Sequence, residues 1–568
     1  MKFKFHFLLL AAGSLGFSGC DKPAGAPAEP GAEANVVPSA DQVDGVEPAK
    51  DSAKKPNILF LITDDQFKHH MNWMPEGKQD NGKPRNFTPN TDRLAESATI
   101  FDRMYVTSPV CTPSRFAALT GMYPSRSKAQ SFLDRQKELG GQASVEWNTF
   151  ITEGMPTLPK MLQKAGYRTG IVGKNHVVEV KGMKKPEWLA KADDPEMLAI
   201  LKDNYAKQME AIHEAGFDYG ASLYYDNPDF IGVKALASHN LDWIAKGALD
   251  FLDEEDDRPF FLYCAVTIPH GPGEPERSYK ADPRITAVGM LKEPLDVLPA
   301  RDTLEPRLKE AGVPAKWGRP NLLWLDDMVG ALVDKLEASG ELENTIIVYF
   351  NDHGQQAKGT IYEGGVHSEG FIRREGGFPV GPRTDALVSN LDFAPTLVEL
   401  AGASSGEADF DGASIMPVLN GEKEQVHDAL FFELGFVRGV IQGEWKYIAL
   451  RYPEPVANMS VEKRQRVLDR FNENQTRRGR PVYTEDPAAP FSHVQSIPGG
   501  GDAEHMSIGK YPSFHDADQL YHLASDPTEQ KNLAADPAHA AKLAELQQVL
   551  REHLEGMPGT FGDLKPAN

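Results

Sequence analysis

Four runs along the chain are apolar without interruption and then turn abruptly polar: PNILFLITDDQ, YRTGIVGKNH, PFFLYCAVTIPHG and NTIIVYFNDHG. Continuous rather than alternating apolar character predicts strands covered on both faces, as in a parallel sheet flanked by helices. Between them lie stretches with helical spacing: TPNTDRLAESA, TLPKMLQKAG and NLLWLDDMVGALVDKLEASG. The last carries Lys335 in its final turn and Gly340 as its stop. The expected fold is α/β, a mixed, mainly parallel sheet sandwiched between helices over residues 56–425. In such sheets ligands bind beyond the carboxyl ends of the strands, so the four polar ends are expected to meet in one crevice. One Asp after a strand is often only a turn. Four clusters of metal- and anion-binding residue types are not explained that way.

Further on, FVRGVIQGEWKYIALRY reads as an antiparallel hairpin turning at Gln-Gly-Glu, and HAAKLAELQQVLREHLEG as a helix packed upon it. Together they predict a smaller C-terminal α+β subdomain with an antiparallel sheet, residues 426–568. At the other end, MKFKFHFLLLAAGSLGFSGC places two lysines before an apolar run and small residues before Cys20. That is the pattern of a secretory signal, residues 1–20, rather than a membrane span. Its FSGC ending resembles a bacterial lipoprotein box, in which Cys20 is lipidated. Residues 21–55 are rich in Ala, Pro, Glu and Gly and cannot bury enough surface to offset their ordering entropy, so they read as a tether. No later stretch is long and apolar enough to span a bilayer. The expected location is outside the cytoplasm, periplasmic or at the cell surface, with a lipid anchor as the only membrane attachment.

The net charge of −22 argues against nucleic acid or an anionic membrane surface as a partner. It does not exclude a small anion, which a local cationic pocket can hold. The chain has three cysteines. With Cys20 set aside, one disulfide is the most that could form. Cys264, in FFLYCAVTIP, reads as a small core residue. Cys111 lies in the polar, proline-broken SPVCTPSR at the entry to a helix. Their different settings argue against a bridge, and Cys111 reads as a reactive group.

The strand ends define the chemistry. Asp64 and Asp65 from one run, with Asp352 and His353 from another, suit a divalent cation, because crowded carboxylates repel unless a cation sits among them. Oxygen ligands favour Ca²⁺ or Mg²⁺, while the His353 nitrogen leaves Mn²⁺ or Zn²⁺ open. Arg115, Lys174, His176, His270 and Lys358 add cationic or proton-carrying groups. A metal ringed by such donors suits an oxygen-rich anionic group, sulfate or phosphate.

CTPSR followed by TGMYPSR resembles the signature of the type I sulfatases of the alkaline phosphatase superfamily, in which the cysteine of C-x-P-S-R is oxidised to formylglycine. GYRTGIVGKNH resembles their second signature, and DD after the first strand, NDHG, KGTIYEGG, WKYI and LYHLASDPTEQKNL extend the likeness from Pro56 to the C-terminus. The resemblance implies that Cys111 is the formylglycine precursor, converted by a formylglycine-generating or anaerobic sulfatase-maturating enzyme. Hydrated, that residue is a gem-diol: one oxygen attacks sulfur, and the other lets the sulfate ester leave by re-forming the aldehyde. Pro113 and Arg115 would belong to the motif read during modification, with Arg115 also steadying the modified side chain. Asp64, Asp65, Asp352 and His353 match the metal ligands, usually of Ca²⁺, with the Cys111 side chain facing the ion. Lys174 and His176 match the pair beside nucleophile and sulfate, His270 the acid that protonates the leaving alcohol, and Lys358 the sulfate-binding lysine. After YEGG many relatives carry an IRVPLIV-like segment, whereas this chain has VHSEGFIRREGG. His367 and Glu369 there are expected to bear on the substrate pocket.

The resemblance thus implies hydrolysis of a sulfate ester, on a carbohydrate. A phosphodiesterase or phosphonate monoester hydrolase of the same superfamily is a second reading. A glycan-binding lipoprotein without catalysis is a third, against which the intact CTPSR speaks.

Overall fold

The computed structural model describes residues 54–564 apart from 317, 407 and 478. Cys20, the signal and nearly all of the tether lie outside the described residues. The strands run in order β1 (Asn57–Asp64), β2 (Ala98–Tyr105), β3 (Arg168–Lys174), β4 (Tyr219–Tyr224), β5 (Phe260–Pro269), the two-residue pair β6 (Ile285–Thr286) and β7 (Gly289–Met290), β8 (Thr345–Asn351), β9 (His367–Ser368), β10 (Gly370–Arg373), β11 (Arg383–Ser389), β12 (Leu430–Leu434), β13 (Val437–Gln442), β14 (Trp445–Leu450) and β15 (Asp518–His522). All four apolar runs are strands of one large sheet, ordered β11-β2-β10-β8-β1-β5-β3-β4, with β9 pairing β2. Every pairing is parallel except those of β9 and β10. The mixed, mainly parallel α/β sheet is therefore observed.

Alternation along β1 shows why its run is apolar throughout. Ile58, Phe60 and Ile62 pack on one face among Leu158, Leu162, Phe393 and Leu397 of the helices Leu158–Lys164 and Phe393–Leu400. Leu59 and Leu61 pack on the other among Leu241, Ile244, Leu325 and Leu332 of Leu241–Asp253 and Arg319–Ala338. Each such side chain, fully buried, contributes about 1.5–3 kcal/mol. Cys264 is buried in this core opposite Leu61 and Val172, and both Cys111 and Cys264 are free thiols.

A four-stranded antiparallel sheet, β12-β13-β14-β15, lies in the C-terminal region. β13 and β14 form the expected hairpin, with Gly443 at φ +59° in its turn. The helix Ala540–Glu555 packs Leu543, Leu546 and Leu550 against Val440, Tyr447 and Leu520. No helix among the described residues is long and apolar enough to cross a membrane.

Candidate active site

Register decides what meets at the sheet edge. β1 and β8 are aligned with Thr63 opposite Asn351, so Asp64 and Asp352 leave adjacent strands together. β5 ends level with Asp64, delivering His270 one residue later. β3 bends before Lys174, where Gly173 takes φ +84°. A Cβ on Gly173 would fall 1.8 Å from the Ala265 carbonyl oxygen, so only glycine permits this approach. Asp65 (φ +62°) and His176 (φ +41°) hold left-handed conformations costly for their side chains, which surrounding contacts must impose.

Cys111, expected at the entry to a helix, is the first residue of the helix Cys111–Thr120, and despite the polar residues around it in the sequence every residue of that helix is buried. Buried neighbours exclude water, and the helix N-terminus favours negative charge there. Its Sγ lies 3.4 Å from Asp64 Oδ1, 3.6 Å from Lys358 Nζ and 3.7 Å from His353 Nε2. The shortest lysine or arginine contact of each of three carboxylates is to a different buried or nearly buried cation: Asp64 with Lys174 at 2.5 Å, Asp65 with Lys358 at 2.6 Å, and Asp352 with Arg115 at 3.1 Å. Ser114 Oγ donates to the Asp352 carbonyl oxygen, fixing the helix to the strand end.

Burial disfavours charge on Asp64, yet Lys174, His270, Arg115 and Lys358 hold its carboxyl well below the usual range. Asp65 is likewise lowered against burial, by His270, Lys358 and His353. Burial opposes charge on His353, but Asp352 and a hydrogen bond that the ring donates to Asp65 push its imidazole up to about 10. Burial, with Asp64 beside it, raises the Cys111 thiol. Burial pushes His176 down to about 3, and Lys174 and Arg115 add to this. Its Nε2 is 3.1 Å from Thr112 Oγ1 and 3.2 Å from Asp226 Oδ2.

The expected residues from Asp64 to Lys358 thus come together. Ligand atoms of Asp64, Asp65, Cys111 and His353 lie within 4.8 Å of one another and could hold a metal ion. Asp352 borders this foursome: Oδ2 faces Arg115, while Oδ1 is 3.5 Å from His353 Nε2. His270 Nε2 is 3.4 Å from Asp65 Oδ2.

Two site residues were not anticipated. Asp226 approaches both His176 and Lys174, the latter at 3.7 Å. Asn227, with its amide oriented to satisfy its neighbours, donates to Asp64 Oδ2 at 3.1 Å and accepts from Lys174 at 2.9 Å, its oxygen also 3.1 Å from His270 Nε2. The polar DNP after YGASLYY was the available signal.

A cavity of about 810 Å³ opens over Cys111, His176, His270 and Lys358, and Trp147, Phe150, Tyr225 and Phe230 are among its lining residues. Arg480, Tyr483 and His505, from the segment between β14 and β15, also line it. The expectation for His367 and Glu369 is corrected, because neither lines this cavity. His367 stacks on Tyr105 and bonds the Asp102 carbonyl at 2.9 Å. Glu369 is buried, accepting from Asn351 at 3.0 Å.

Residues 56–403 match the family model for Sulfatase. The chain is 25% identical to an N-acetylglucosamine-6-O-sulfatase of Bacteroides thetaiotaomicron, over 89% of this chain and 87% of that protein. It is 24% identical to an ulvan-active sulfatase of Formosa agariphila, over 88% and 74%. Its fold matches a solved structure from work on the metabolism of multiple glycosaminoglycans by Bacteroides thetaiotaomicron, with TM-score 0.56, 19% identity, and 88% and 99% of the two chains covered. The residues gathered around Cys111 and the match over most of the chain agree, and the protein belongs to the sulfatase family.

Proposed function

We propose that the protein removes sulfate from a sulfated carbohydrate, with formylglycine derived from Cys111 as nucleophile. The observation that carries this reading is the position of Cys111: the first residue of a buried helix, within 3.7 Å of Asp64, His353 and Lys358, and lining the large cavity. The carbohydrate rests on the names of the two relatives above.

The donor set fits a divalent cation. With His353 counted as a cation, Asp64, Asp65, Asp226 and Asp352 are balanced by Arg115, Lys174, Lys358 and His353, which leaves no net positive charge for a sulfate monoester anion. Asp64, Asp65, Asp352 and His353 would hold the ion, and oxygen donors outnumber nitrogen, which favours Ca²⁺. Bound there, it would neutralise sulfate charge and lower the pKa of an adjacent hydroxyl. Lys358 and Lys174 hold the transferring group as cations. His176, kept neutral by burial, can accept a proton beside the nucleophile. His270, on the cavity wall, donates a proton to the departing alcohol. Arg115 orients Asp352 and the helix start.

We further propose export and lipid attachment at Cys20. An unlipidated mature N-terminus beyond Cys20 would refute the anchor and leave export standing. The activity test is sulfate release from a panel of sulfated glycans after co-expression with a maturating enzyme, alongside an aryl sulfate and an aryl phosphate diester. Faster turnover of the diester, with no glycan desulfated, would overturn the reading.

A further inference from the structure

Three motifs outside the reacting cluster meet at one buried point: YEGG, WKY and the DPTEQ of the C-terminal stretch. Lys446 of β14 lies 3.0 Å from Glu363 Oε1 and 3.0 Å from Glu529 Oε1, and the side chains of Lys446 and Glu529 have no solvent exposure. Glu529 Oε2 also accepts from the Glu363 backbone N–H at 2.7 Å. Glu529 holds φ +55°, an unfavourable conformation for a residue with a Cβ. Tyr105 donates to Glu363 Oε2 at 3.1 Å. Its neighbour Tyr362 is fixed as well, stacked on Tyr511 at 3.7 Å and donating to Gln519 of β15 at 2.8 Å.

This clamp grips the turn that carries Lys358. Ala357 N–H donates to the Gly364 carbonyl and Gly354 N–H to the Gly365 carbonyl, each at 2.8 Å. A Cβ on Gly365 would lie 2.0 Å from the Thr360 carbonyl oxygen, so the turn has no slack. Lys510 Nζ donates to the Gln356 carbonyl oxygen at 2.8 Å, a second hold from the C-terminal region. Any shift of Glu363 is therefore passed to Lys358, whose amine must stay 2.6 Å from Asp65 and 3.6 Å from Cys111 Sγ.

We propose that Lys446 and Glu529 are positioning residues for the reaction, acting through Glu363 to set Lys358 against the nucleophile and the sulfate. This rests on the function proposed above. It gives the small C-terminal sheet a catalytic purpose beyond burial of apolar surface.

The test is a double-mutant cycle on the full, matured enzyme, pairing Glu529→Gln with Lys358→Ala and following kcat/KM for a sulfate ester. Glu529→Gln keeps the shape and should lower kcat/KM by about 10–100-fold, as loss of an outer-shell partner does. In the Lys358→Ala background the same change should have little further effect, because residues acting as one unit are non-additive. Lys446→Arg, which keeps the charge, should restore activity relative to Lys446→Met at a temperature where circular dichroism shows all variants folded. Equal losses from Glu529→Gln in both backgrounds, or melting-temperature losses with unchanged kcat/KM, would overturn the proposal. A wild-type enzyme that releases no sulfate would instead overturn the function on which it rests.

Discussion

Lys174→Met tests the electrostatics of the site most directly. The Lys174 amine is fully buried, 2.5 Å from Asp64 Oδ2 and 3.7 Å from Asp226. At an effective dielectric of about 20, charges that close attract by about 7 kcal/mol before desolvation is counted. Removing one partner of a buried pair strands the other, at a typical cost of about 3–5 kcal/mol. Arg115 remains 3.7 Å from the same carboxylate oxygen, so the loss should fall near the lower end.

Denaturant unfolding of the chelated protein should show that loss. Adding Ca²⁺ should narrow the gap between variant and wild type, since an ion held by Asp64 replaces the missing charge. A ligand at 100 times its dissociation constant stabilises by about 2.7 kcal/mol, enough to be seen. Sulfate release should fall by about 10²–10³ in kcat, the usual effect of deleting one preorganised donor. A stability loss under about 0.5 kcal/mol, typical of surface positions, or the same loss with and without Ca²⁺, would refute this account of Asp64.

Co-expression with a maturating enzyme should remove sulfur and add carbonyl oxygen to the peptide around Cys111 in its mass spectrum. Full activity from uniformly unmodified cysteine would contradict the nucleophile assignment. Chelation should abolish turnover and Ca²⁺ should restore it better than Zn²⁺, while Asp352→Asn should lower metal affinity and activity together in calorimetry and sulfate release. Burial pushes Glu504 from 4.5 up to about 7, against hydrogen bonds from Ser492 and the His493 and Gly501 amides. Its folded pKa exceeds its unfolded one, so its contribution of about 3 kcal/mol is present below pH 4.5 and lost as pH rises through 7. Glu504→Gln should flatten that pH dependence in unfolding experiments between pH 5 and 8, and parallel curves would rule it out.

The strand ends were legible because their signal is local: a continuous apolar run, then residues with ligand or proton chemistry. The β13–β14 hairpin and the final helix were legible for the same reason. β2 was not, because ATIFDRMY interrupts its apolar character with Asp102 and Arg103, which are only partly buried. Asp226 and Asn227 follow a short strand whose first half is only partly buried, and a polar DNP there reads as an ordinary turn. The meeting of Glu363, Lys446 and Glu529 spans 83 and 166 residues and has no local signature. His367 misled in the opposite direction. Its place beside YEGG suggested the substrate pocket, but β9 pairing on β2 turns it toward Tyr105.

The close carboxylate–lysine pairs at the strand ends explain why a cation and a sulfate should bind interdependently. Lys174 and Lys358 are engaged by Asp64 and Asp65, so an arriving sulfate must compete with carboxylates for its own binding groups. A dication on those carboxylates would satisfy them and release both amines toward the substrate, a coupling that linkage makes reciprocal. Inorganic sulfate, the product anion, should then bind measurably with Ca²⁺ present and far more weakly without it, and sulfate should tighten Ca²⁺ by the same factor. Calorimetric titration of each ligand with and without the other measures both. Sulfate affinity indifferent to Ca²⁺ would mean that the lysines are free for the substrate without the ion, and that the carboxylate pairs leave them available.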